Sequence, residues 1–257
     1  MPAVTKSSLR DPTRDWAAFS PEQIPTKGIK LPGLFHDTLR ALELEQDSTQ
    51  QSLQILEMAC GCGELCAFLQ SRQHKVIGTD INHGAIASAN ENCLLPGSCF
   101  VADVTIPKFS EDIETKQMAC GTSSPLTTFD FVILQLLVSI VGGPASRKAT
   151  LQNAISLLRP RGTLYLSCSG VSDDINPNYA QLYQEDRAAM TEPYSYFSRS
   201  EQGEILYTTH HFSEPELKEL LQEAGLVDIH IEQHKEASSR RPNEAAYFFY
   251  ATAKRPT

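Results

Sequence analysis

The sequence predicts an α/β protein with a mostly parallel sheet, helices on both of its faces and an antiparallel last strand. Three observations lead to this fold class. Short apolar runs alternate with segments of helical spacing, the first apolar run ends in a glycine turn, and the last two apolar runs are joined by a short polar segment. The 257 residues are 41% hydrophobic and 21% charged, which is enough apolar material for a single domain spanning residues 1–257.

The first unit of the fold comes from residues 53–80. Residues 53–59 (LQILEMA) form an apolar run that ends in the letters CGCG, which is typical of a buried strand entering a tight turn. Helical spacing follows at 64–70, and a β-branched run (KVIGT) at 75–79. A strand, a helix and a second strand in this order imply two parallel strands, because the helix carries the chain back across the sheet.

The same alternation continues along the chain. We predict helices at 84–92, 147–158 and 215–224, and strands at 99–102, 129–134 and 163–168. Residues 159–162 (RPRG) stop the second of these helices, and Gly225 stops the third. Residues 227–233 and 245–253 predict two more strands, which are antiparallel because the segment between them is too short for a helical crossover.

Two regions interrupt the alternation. Residues 1–50 contain five prolines and precede the first strand, whereas residues 169–212 fill a position where a loop usually has about 2 to 6 residues. Insertions at the carboxyl end of a parallel strand lie where ligands bind. We therefore expect the N-terminal extension and the insertion after strand five to form a small substrate cap, in which residues 195–199 and 204–208 pair as a hairpin.

Charge argues against polyanionic partners. The chain has 22 basic and 31 acidic residues, a net charge of −9, so nucleic acid and anionic membrane surfaces repel it. The longest strongly apolar stretch, residues 131–141, is much shorter than the roughly 20 residues that span a bilayer. No export signal is recognisable at the start of the sequence, so a cytoplasmic protein is expected.

The seven cysteines suggest neither a disulfide framework nor a metal site. Their number is odd, and the chain is not a small secreted domain. Cys60, Cys62 and Cys66 are close in sequence, but no second pair of cysteines or histidines at ligand spacing follows nearby. No metal is therefore predicted, and the cysteines are expected to be small buried apolar residues.

The glycine turn and two strand ends indicate a nucleotide-like cofactor. Gly61 and Gly63 allow a tight turn and a close approach of a ligand to the backbone, but Cys66 replaces the third glycine of a dinucleotide fingerprint. Asp80 ends the second strand, where a carboxylate either accepts hydrogen bonds from ribose hydroxyls or caps the following helix. Asp103 ends the next strand, where a local turn is the alternative.

The motifs at these positions resemble those of class I S-adenosylmethionine-dependent methyltransferases, in the family's order and at its spacing. They are ILEMACGCGEL, VIGTDIN, FVADVT, FDFVILQ and LLRPRGTLYLS, and the resemblance covers residues 53–253. It implies a Rossmann-like sheet with S-adenosyl-L-methionine bound across the carboxyl ends of the first strands. The implied cofactor residues are Glu57, Cys60, Gly61, Cys62 and Gly63 at the methionine end, Asp80 and Ile81 at the ribose, Asp103 and Val104 at the adenine, and Gln135 and Leu136 beside the sulfonium and the acceptor.

The chain departs from this family at two informative points. Residues 158–162 read LRPRG where the family has L-x-P-G-G, so one glycine of the turn is lost. The N-P-P-Y type motif for methylation of amino groups on nucleic acid bases is absent after Leu134. Together with the negative charge, this absence argues against base methylation.

Candidates for acceptor chemistry lie in the insertion. His210 and His211 follow the second hairpin strand, where an imidazole could take a proton from an acceptor. The alternative is that they merely begin the next helix, since residues 213–216 carry a capping-box pattern. Aromatic residues of the hairpin could form a pocket wall or hold a cation, although such residues often just pack across strands. These candidate substrate-binding residues are Tyr194, Tyr196 and Tyr207.

The sequence therefore predicts an enzyme that transfers the methyl group of S-adenosylmethionine, directly and in line, to a small-molecule acceptor. The sulfonium makes the methyl group labile, so neither a nucleophile nor a metal is required. One rival is a nicotinamide-dependent oxidoreductase, which the missing third glycine disfavours. A second rival is a non-catalytic module that senses a cofactor or binds a protein partner, and a protein side chain stays open as an acceptor.

Overall fold

The computed structural model describes residues 16–19, 31–47, 51–200, 202–238, 241 and 243–257. Its helices are α1 (Gly33–Asp47), α2 (Glu64–Ser71), α3 (His83–Asn92), α4 (Phe109–Ala119), α5 (Pro144–Leu157), α6 (Pro177–Asp186) and α7 (Glu214–Glu223). Its strands are β1 (Gln54–Met58), β2 (Lys75–Asp80), β3 (Cys99–Val101), β4 (Phe129–Gln135), β5 (Leu158–Gly170), β6 (Ser195–Arg199), β7 (Ile205–His210), β8 (Val227–Ala237) and β9 (Ala245–Lys254). None of the helices in these ranges is long and apolar enough to cross a membrane.

Seven strands form one sheet in the order β3-β2-β1-β4-β5-β9-β8. Strands β1 to β5 pair in parallel, whereas β9 is antiparallel to both β5 and β8. This topology confirms the predicted fold class, a Rossmann-like mostly parallel sheet with an antiparallel last strand. The strand order reverses between β1 and β4, so the carboxyl ends of these strands border the crevice in which open α/β sheets bind ligands.

The apolar side chains of the central strands alternate between two cores. In β4, Val132 and Leu134 face the core covered by α4, α5 and α7, while Phe131 and Ile133 face the core covered by α1, α2, α3 and α6. All four are fully buried, because strand side chains have a period of two and both sheet faces carry helices. Helix α1 of the N-terminal extension therefore packs on a sheet face.

Several elements differ from the sequence prediction. Strand β5 is longer than predicted at both ends. Its start passes through a register shift, where Arg161 takes a left-handed conformation (φ 64°). Helix α5 begins before residue 147, since Pro144 occupies its first turn. The sequence does not predict α4 or α6, whose buried faces include the polar Gln117 and Asp186 and so lack a continuous apolar stripe.

The insertion folds as α6 followed by the β6–β7 hairpin. The predicted hairpin is confirmed, and β7 continues to His210, which pairs with Ser195 of β6. A bridge between Gly170 and Phe212 returns the chain to the end of β5. The hairpin is thereby anchored at the carboxyl edge of the main sheet, where the cap was expected.

Candidate active site

The chain leaves β1 through a turn of left-handed residues. Ala59, Gly61 and Gly63 have φ angles of 63°, 53° and 79°. Glycine is required at position 63, because a Cβ atom there would lie 2.8 Å from the Cβ atom of Ala89 in α3. Gly63 is also the N-cap of α2, and no described side chain caps that end of the helix. The N–H groups of the first turn of α2 can therefore bind an anionic group of a ligand.

Asp80 is held at the end of β2 by backbone donors on two sides. Its Oδ2 atom accepts a hydrogen bond from the Gly61 N–H (3.0 Å), and its Oδ1 atom accepts one from the Asn82 N–H (2.9 Å). Burial raises the pKa of Asp80, and backbone hydrogen bonds, including one from Ile81, offset part of this effect. The carboxylate therefore has a fixed position from which its remaining lone pairs can accept hydrogen bonds from ligand hydroxyls.

Asp103 stabilises a local turn, which is the structural alternative to a ligand contact at this position. Its Oδ1 atom accepts hydrogen bonds from the backbone N–H (2.8 Å) and the hydroxyl (2.7 Å) of Thr105. Val104, between these two residues, is buried. The Ala102 N–H donates to the Asp80 carbonyl (2.8 Å), so the ends of β2 and β3 lie side by side. Asp80 and Asp103 therefore border the same edge of the sheet.

Two polar side chains, Glu57 of β1 and Gln135 of β4, lie next to each other. Glu57 is 2% exposed, and burial raises its pKa to about 8, while the Cys66 thiol donates to its Oε2 atom at 3.1 Å. Gln135 lies beside this carboxyl, at the end of β4. The Nε2 atom of Gln135 has no hydrogen-bond partner among the described residues. An orphaned buried amide costs free energy, so it marks a place where a ligand can supply the acceptor.

A pocket lies beyond the end of β4, next to Gln135. Leu136 turns the chain there with a φ of 53°, and its N–H donates to the carbonyl and the hydroxyl oxygens of Ser167 (3.0 Å each). The ring side chains that line this pocket, called the aromatic pocket below, are Trp16, Tyr179, Tyr196, Tyr207, His211 and Phe248. Four predicted site residues from distant parts of the chain therefore meet in one place: Leu136, Tyr196, Tyr207 and His211.

His211 is buried in the pocket wall with both ring nitrogens engaged. Its Nδ1 atom lies 2.7 Å from the Tyr183 hydroxyl, and its Nε2 atom lies 3.2 Å from the Tyr196 hydroxyl. Burial lowers the pKa of His211 to about 3, so the imidazole is neutral at pH 7. A neutral imidazole has one donor and one acceptor nitrogen. When Tyr183 donates to Nδ1, Nε2–H donates to Tyr196, whose own proton is left for a ligand.

Two of the predicted cap residues do not line the aromatic pocket. The His210 ring makes two hydrogen bonds. Its Nδ1 atom lies 2.8 Å from Ser195 Oγ, and its Nε2 atom lies 2.8 Å from Glu216 Oε1. It thereby ties the hairpin to α7, where the predicted capping box is present. Tyr194 is 37% exposed, outside the pocket lining. The geometry favours the structural alternative for His210, and it leaves His211 as the histidine within reach of a bound molecule.

The sequence does not single out the segment that links the aromatic pocket with the strand end that carries Asp80. The Trp16 ring centroid lies 4.5 Å from that of Tyr207, and the Trp16 carbonyl accepts a hydrogen bond from Asn82 Nδ2 (2.9 Å). Residues 16–19 therefore extend from the aromatic pocket to the strand end that carries Asp80. Trp16 is the single tryptophan of the sequence. That rarity could have singled it out, but no local pattern says where it packs.

A family profile described as a methyltransferase domain matches residues 30–231. The chain belongs to the methyltransferase domain family. The match covers more than half of the sequence and confirms the resemblance that the motifs predict. It also confirms the prediction of an enzyme that uses S-adenosylmethionine, in place of a nicotinamide-dependent oxidoreductase.

Solved methyltransferase structures share this fold. An S-adenosylmethionine-dependent methyltransferase from Methanosarcina mazei has a TM-score of 0.70 at 22% identity, covering 89% of this chain and 99% of that one. The magnesium protoporphyrin IX methyltransferase of Synechocystis, solved with S-adenosylhomocysteine, has a TM-score of 0.53 at 14% identity, covering 91% and 92%. The 1,6-didemethyltoxoflavin-N1-methyltransferase of Burkholderia thailandensis has a TM-score of 0.50 at 16% identity, covering 88% and 82%. No curated protein sequence matches the chain.

The methyltransferase crevice of this chain has the chemistry that S-adenosylmethionine needs. The uncapped N-terminus of α2 suits a carboxylate, and the fixed carboxylate of Asp80 suits a pair of ribose hydroxyls. The unpartnered amide of Gln135 lies on the same side of the sheet, at the end of β4. All three groups come from the carboxyl ends of neighbouring parallel strands, so they are compatible with one extended ligand.

Proposed function

We propose that the protein transfers the methyl group of S-adenosylmethionine to a small molecule held in the aromatic pocket. The observation that carries this proposal is the position of the pocket. Gln135 and Leu136 are consecutive residues, the first beside Glu57 at the glycine turn and the second in the pocket wall. A cofactor at the turn and an acceptor in the pocket would then flank the end of β4, which is the arrangement that in-line transfer requires.

In this proposal the cofactor lies across the ends of β1, β2, β3 and β4. The first turn of α2 receives its carboxylate, and Asp80 accepts hydrogen bonds from the ribose hydroxyls. The remaining groups are contributed by neighbouring residues, and each assignment is part of the proposal. They are Glu57 near the amino group, Cys60, Gly61, Cys62 and Gly63 in the turn, Ile81 beside the ribose, Asp103 and Val104 at the adenine, and Gln135 and Leu136 at the sulfonium.

The pocket lining supports an uncharged acceptor with a flat apolar part. The described residues of the lining include no Asp, Glu, Lys or Arg, but they do include several hydroxyl groups beside the aromatic rings. The hydroxyl-bearing residues other than tyrosine are Ser139, Ser169, Ser198, Thr209 and Ser238. Such a lining packs against a ring and hydrogen-bonds its substituents, whereas a charged polymer would gain no ion pair there.

S-adenosylmethionine, when bound, supplies a methyl group that its sulfonium has already activated. The chain itself must orient the acceptor and exclude water. Trp16 and Tyr207 line the pocket with rings that contact each other at a tilt of 39°, and the Tyr196 hydroxyl orients a polar atom of the acceptor. Because burial keeps the pKa of His211 low, this imidazole is a weak proton acceptor. We therefore propose that it orients Tyr196 and that the acceptor atom is nucleophilic without removal of a proton by the chain.

The first test is isothermal titration of the purified chain with S-adenosylmethionine and S-adenosylhomocysteine, with NAD as the control. The proposal predicts micromolar binding of the two sulfur ligands and no heat with NAD. Binding of neither sulfur ligand would contradict the cofactor assignments at Asp80 and the glycine turn.

The second test uses Trp16 as a reporter, since it is the single tryptophan and lines the pocket. A library of uncharged aromatic compounds is screened by quenching of its fluorescence, with Trp16→Phe as the blank. Compounds that bind are then incubated with isotopically labelled S-adenosylmethionine, and labelled product is measured. Binding of the cofactor and of several compounds without any methyl transfer would favour a non-catalytic sensing module.

A further inference from the structure

Four of the seven cysteines lie together near the glycine turn, and none of the four is in the aromatic pocket lining. Cys60 is in the turn after β1, Cys66 is in α2, Cys93 caps the end of α3 and Cys99 begins β3. All four are buried, with exposed fractions between 0% and 7%. We call them the cysteine cluster. They meet because α2, α3 and the neighbouring strands β2 and β3 pack on the same core.

The sulfur atoms of the cysteine cluster converge on one point. The Sγ atoms of Cys60, Cys66 and Cys99 all lie within 4.8 Å of one another. A Cβ atom placed on Gly78 of β2 would be 2.9 Å, 2.8 Å and 2.8 Å from these three sulfurs. Cys93 Sγ lies 3.7 Å from Cys99 Sγ, next to this group. Glycine at position 78 is thus required for this packing, because any side chain there would collide with all three sulfurs.

We propose that the cysteine cluster binds one thiophilic divalent cation, with Zn²⁺ as the expected ion. Thiolate sulfurs bound tetrahedrally to zinc at about 2.3 Å lie roughly 3.8 Å from one another, a separation that three sulfurs within 4.8 Å of one another reach by small rotations of their side chains. Cys93 is placed to become the fourth ligand, which would complete the tetrahedral set that structural zinc sites use. A divalent ion suits the site better than Cu⁺, because it leaves less net negative charge in a buried place when three or four thiols become thiolates.

Binding of the ion releases protons from the cysteine thiols and changes no oxidation state. Each cysteine that ligates the ion loses its thiol proton to solvent, and no electron is transferred. The Cys66 thiol donates a hydrogen bond to Glu57 in the unligated chain, and that bond is lost when Cys66 becomes a ligand. Cys60 is also part of the glycine turn. A bound ion is therefore expected to change the affinity for S-adenosylhomocysteine several-fold. This additional effect rests on the proposed function, whereas the binding of the ion does not rest on it.

The test begins with Cd²⁺, which has the same ligand preference as Zn²⁺ and shows thiolate charge-transfer absorption in the ultraviolet. The full chain is reduced, freed of metal and titrated with Cd²⁺ without oxygen. We expect one ion per chain, three or four protons released per ion, and displacement of Cd²⁺ by excess Zn²⁺. This experiment needs only the unmodified chain. Absence of the charge-transfer band, or release of fewer than three protons per ion, would overturn the proposal.

Variants locate the site. Cys99→Ser is expected to weaken Cd²⁺ binding by on the order of 100-fold, because it removes a thiolate that lies near both Cys60 and Cys93. Cys168→Ser is the matched control, since Cys168 is fully buried in β5 and lies outside the cluster. Equal loss in both variants would assign the effect to general destabilisation and reject the site. If Cys99→Ser does not fold, Cys93→Ser must weaken binding in its place.

A final arm separates metal binding from oxidation. The sulfurs of Cys93 and Cys99 lie 3.7 Å apart, so the chain is also exposed to oxidised glutathione and digested for mass spectrometry. A disulfide between these two cysteines that forms readily, combined with no binding of Cd²⁺ to the reduced chain, would show that the cluster is a redox pair and not a cation site.

Discussion

The cofactor end of the crevice and the aromatic pocket are built in different ways. At the cofactor end, the two strand-end carboxylates accept hydrogen bonds from backbone N–H groups two residues further along the chain, Asp80 from Asn82 and Asp103 from Thr105. In the aromatic pocket, the rings come from distant segments, as Trp16 and Tyr207 do, and they are held by side-chain contacts. The first site therefore depends on backbone conformation, and the second depends on the packing of the cap.

The strongest test of this comparison is Gly63→Ala. The added Cβ atom would meet Ala89 at 2.8 Å, and alanine is strained at a φ of 79°. We expect the free energy of unfolding to fall by about 2 to 4 kcal/mol, as the combined cost of strain and overpacking, with loss of S-adenosylhomocysteine binding. Urea unfolding and isothermal titration measure the two effects. Gly121→Ala is the control, since its φ of 86° is similar but no atom lies within 4 Å of the added Cβ atom.

The next test compares two carboxylates of the cofactor end. Asp80→Ala should weaken S-adenosylhomocysteine binding by about 1.5 to 3 kcal/mol, the usual size for hydrogen bonds to a charged group. Asp103→Ala should cost less, because in the proposal Asp80 accepts hydrogen bonds from a pair of ribose hydroxyls, whereas Asp103 lies beside the adenine. Isothermal titration gives both affinities. A larger loss at Asp103 than at Asp80 would reverse the assignment of the ribose contact.

A pH titration examines the packing of the cap around His211. The pKa of this imidazole is 6.5 in the unfolded chain and about 3 in the folded one, so the unfolded chain binds more protons between these values. The stabilisation is present above pH 6.5 and is lost as the pH falls toward 3, at roughly 1 kcal/mol per pH unit. Urea unfolding at pH 7, 6 and 5 should show a shallower loss for His211→Gln than for the unmodified chain. Equal slopes would mean that His211 is accessible to solvent.

The smallest expected effect comes from a single hydroxyl of the pocket. Tyr196→Phe should leave S-adenosylhomocysteine affinity unchanged and lower kcat/KM for an acceptor found in the screen by about tenfold, the value of one hydrogen bond of about 1.4 kcal/mol. Tyr194→Phe is the control, because Tyr194 is half-exposed and outside the pocket lining. A weaker cofactor affinity in Tyr196→Phe would show that the two halves of the site are not independent.

Most of the sheet and the cofactor end can be predicted from the sequence because their signals are local. A buried strand such as β4 is a continuous apolar run, and the turn at Gly63 needs a glycine for steric reasons that hold in any chain. Helices α4 and α6 escape prediction because polar residues on their buried faces are paired with groups outside the helix, which the apolar pattern of the helix itself does not reveal. Gln117, for instance, exchanges hydrogen bonds with the backbone of Leu126, at 2.8 Å and 2.9 Å.

The sequence by itself determined the fold class, the turn after β1 and the carboxylate at the end of β2, since each follows from a few consecutive residues. The tertiary structure decided which side chains share a site. It brought His211 to the aromatic pocket and turned His210 toward Glu216, although the two are adjacent in the chain. It also gathered Cys93 and Cys99 with Cys60 and Cys66. The physical reason is that periodicity describes which face of an element is buried, whereas contacts between elements depend on crossovers and packing that no short segment encodes.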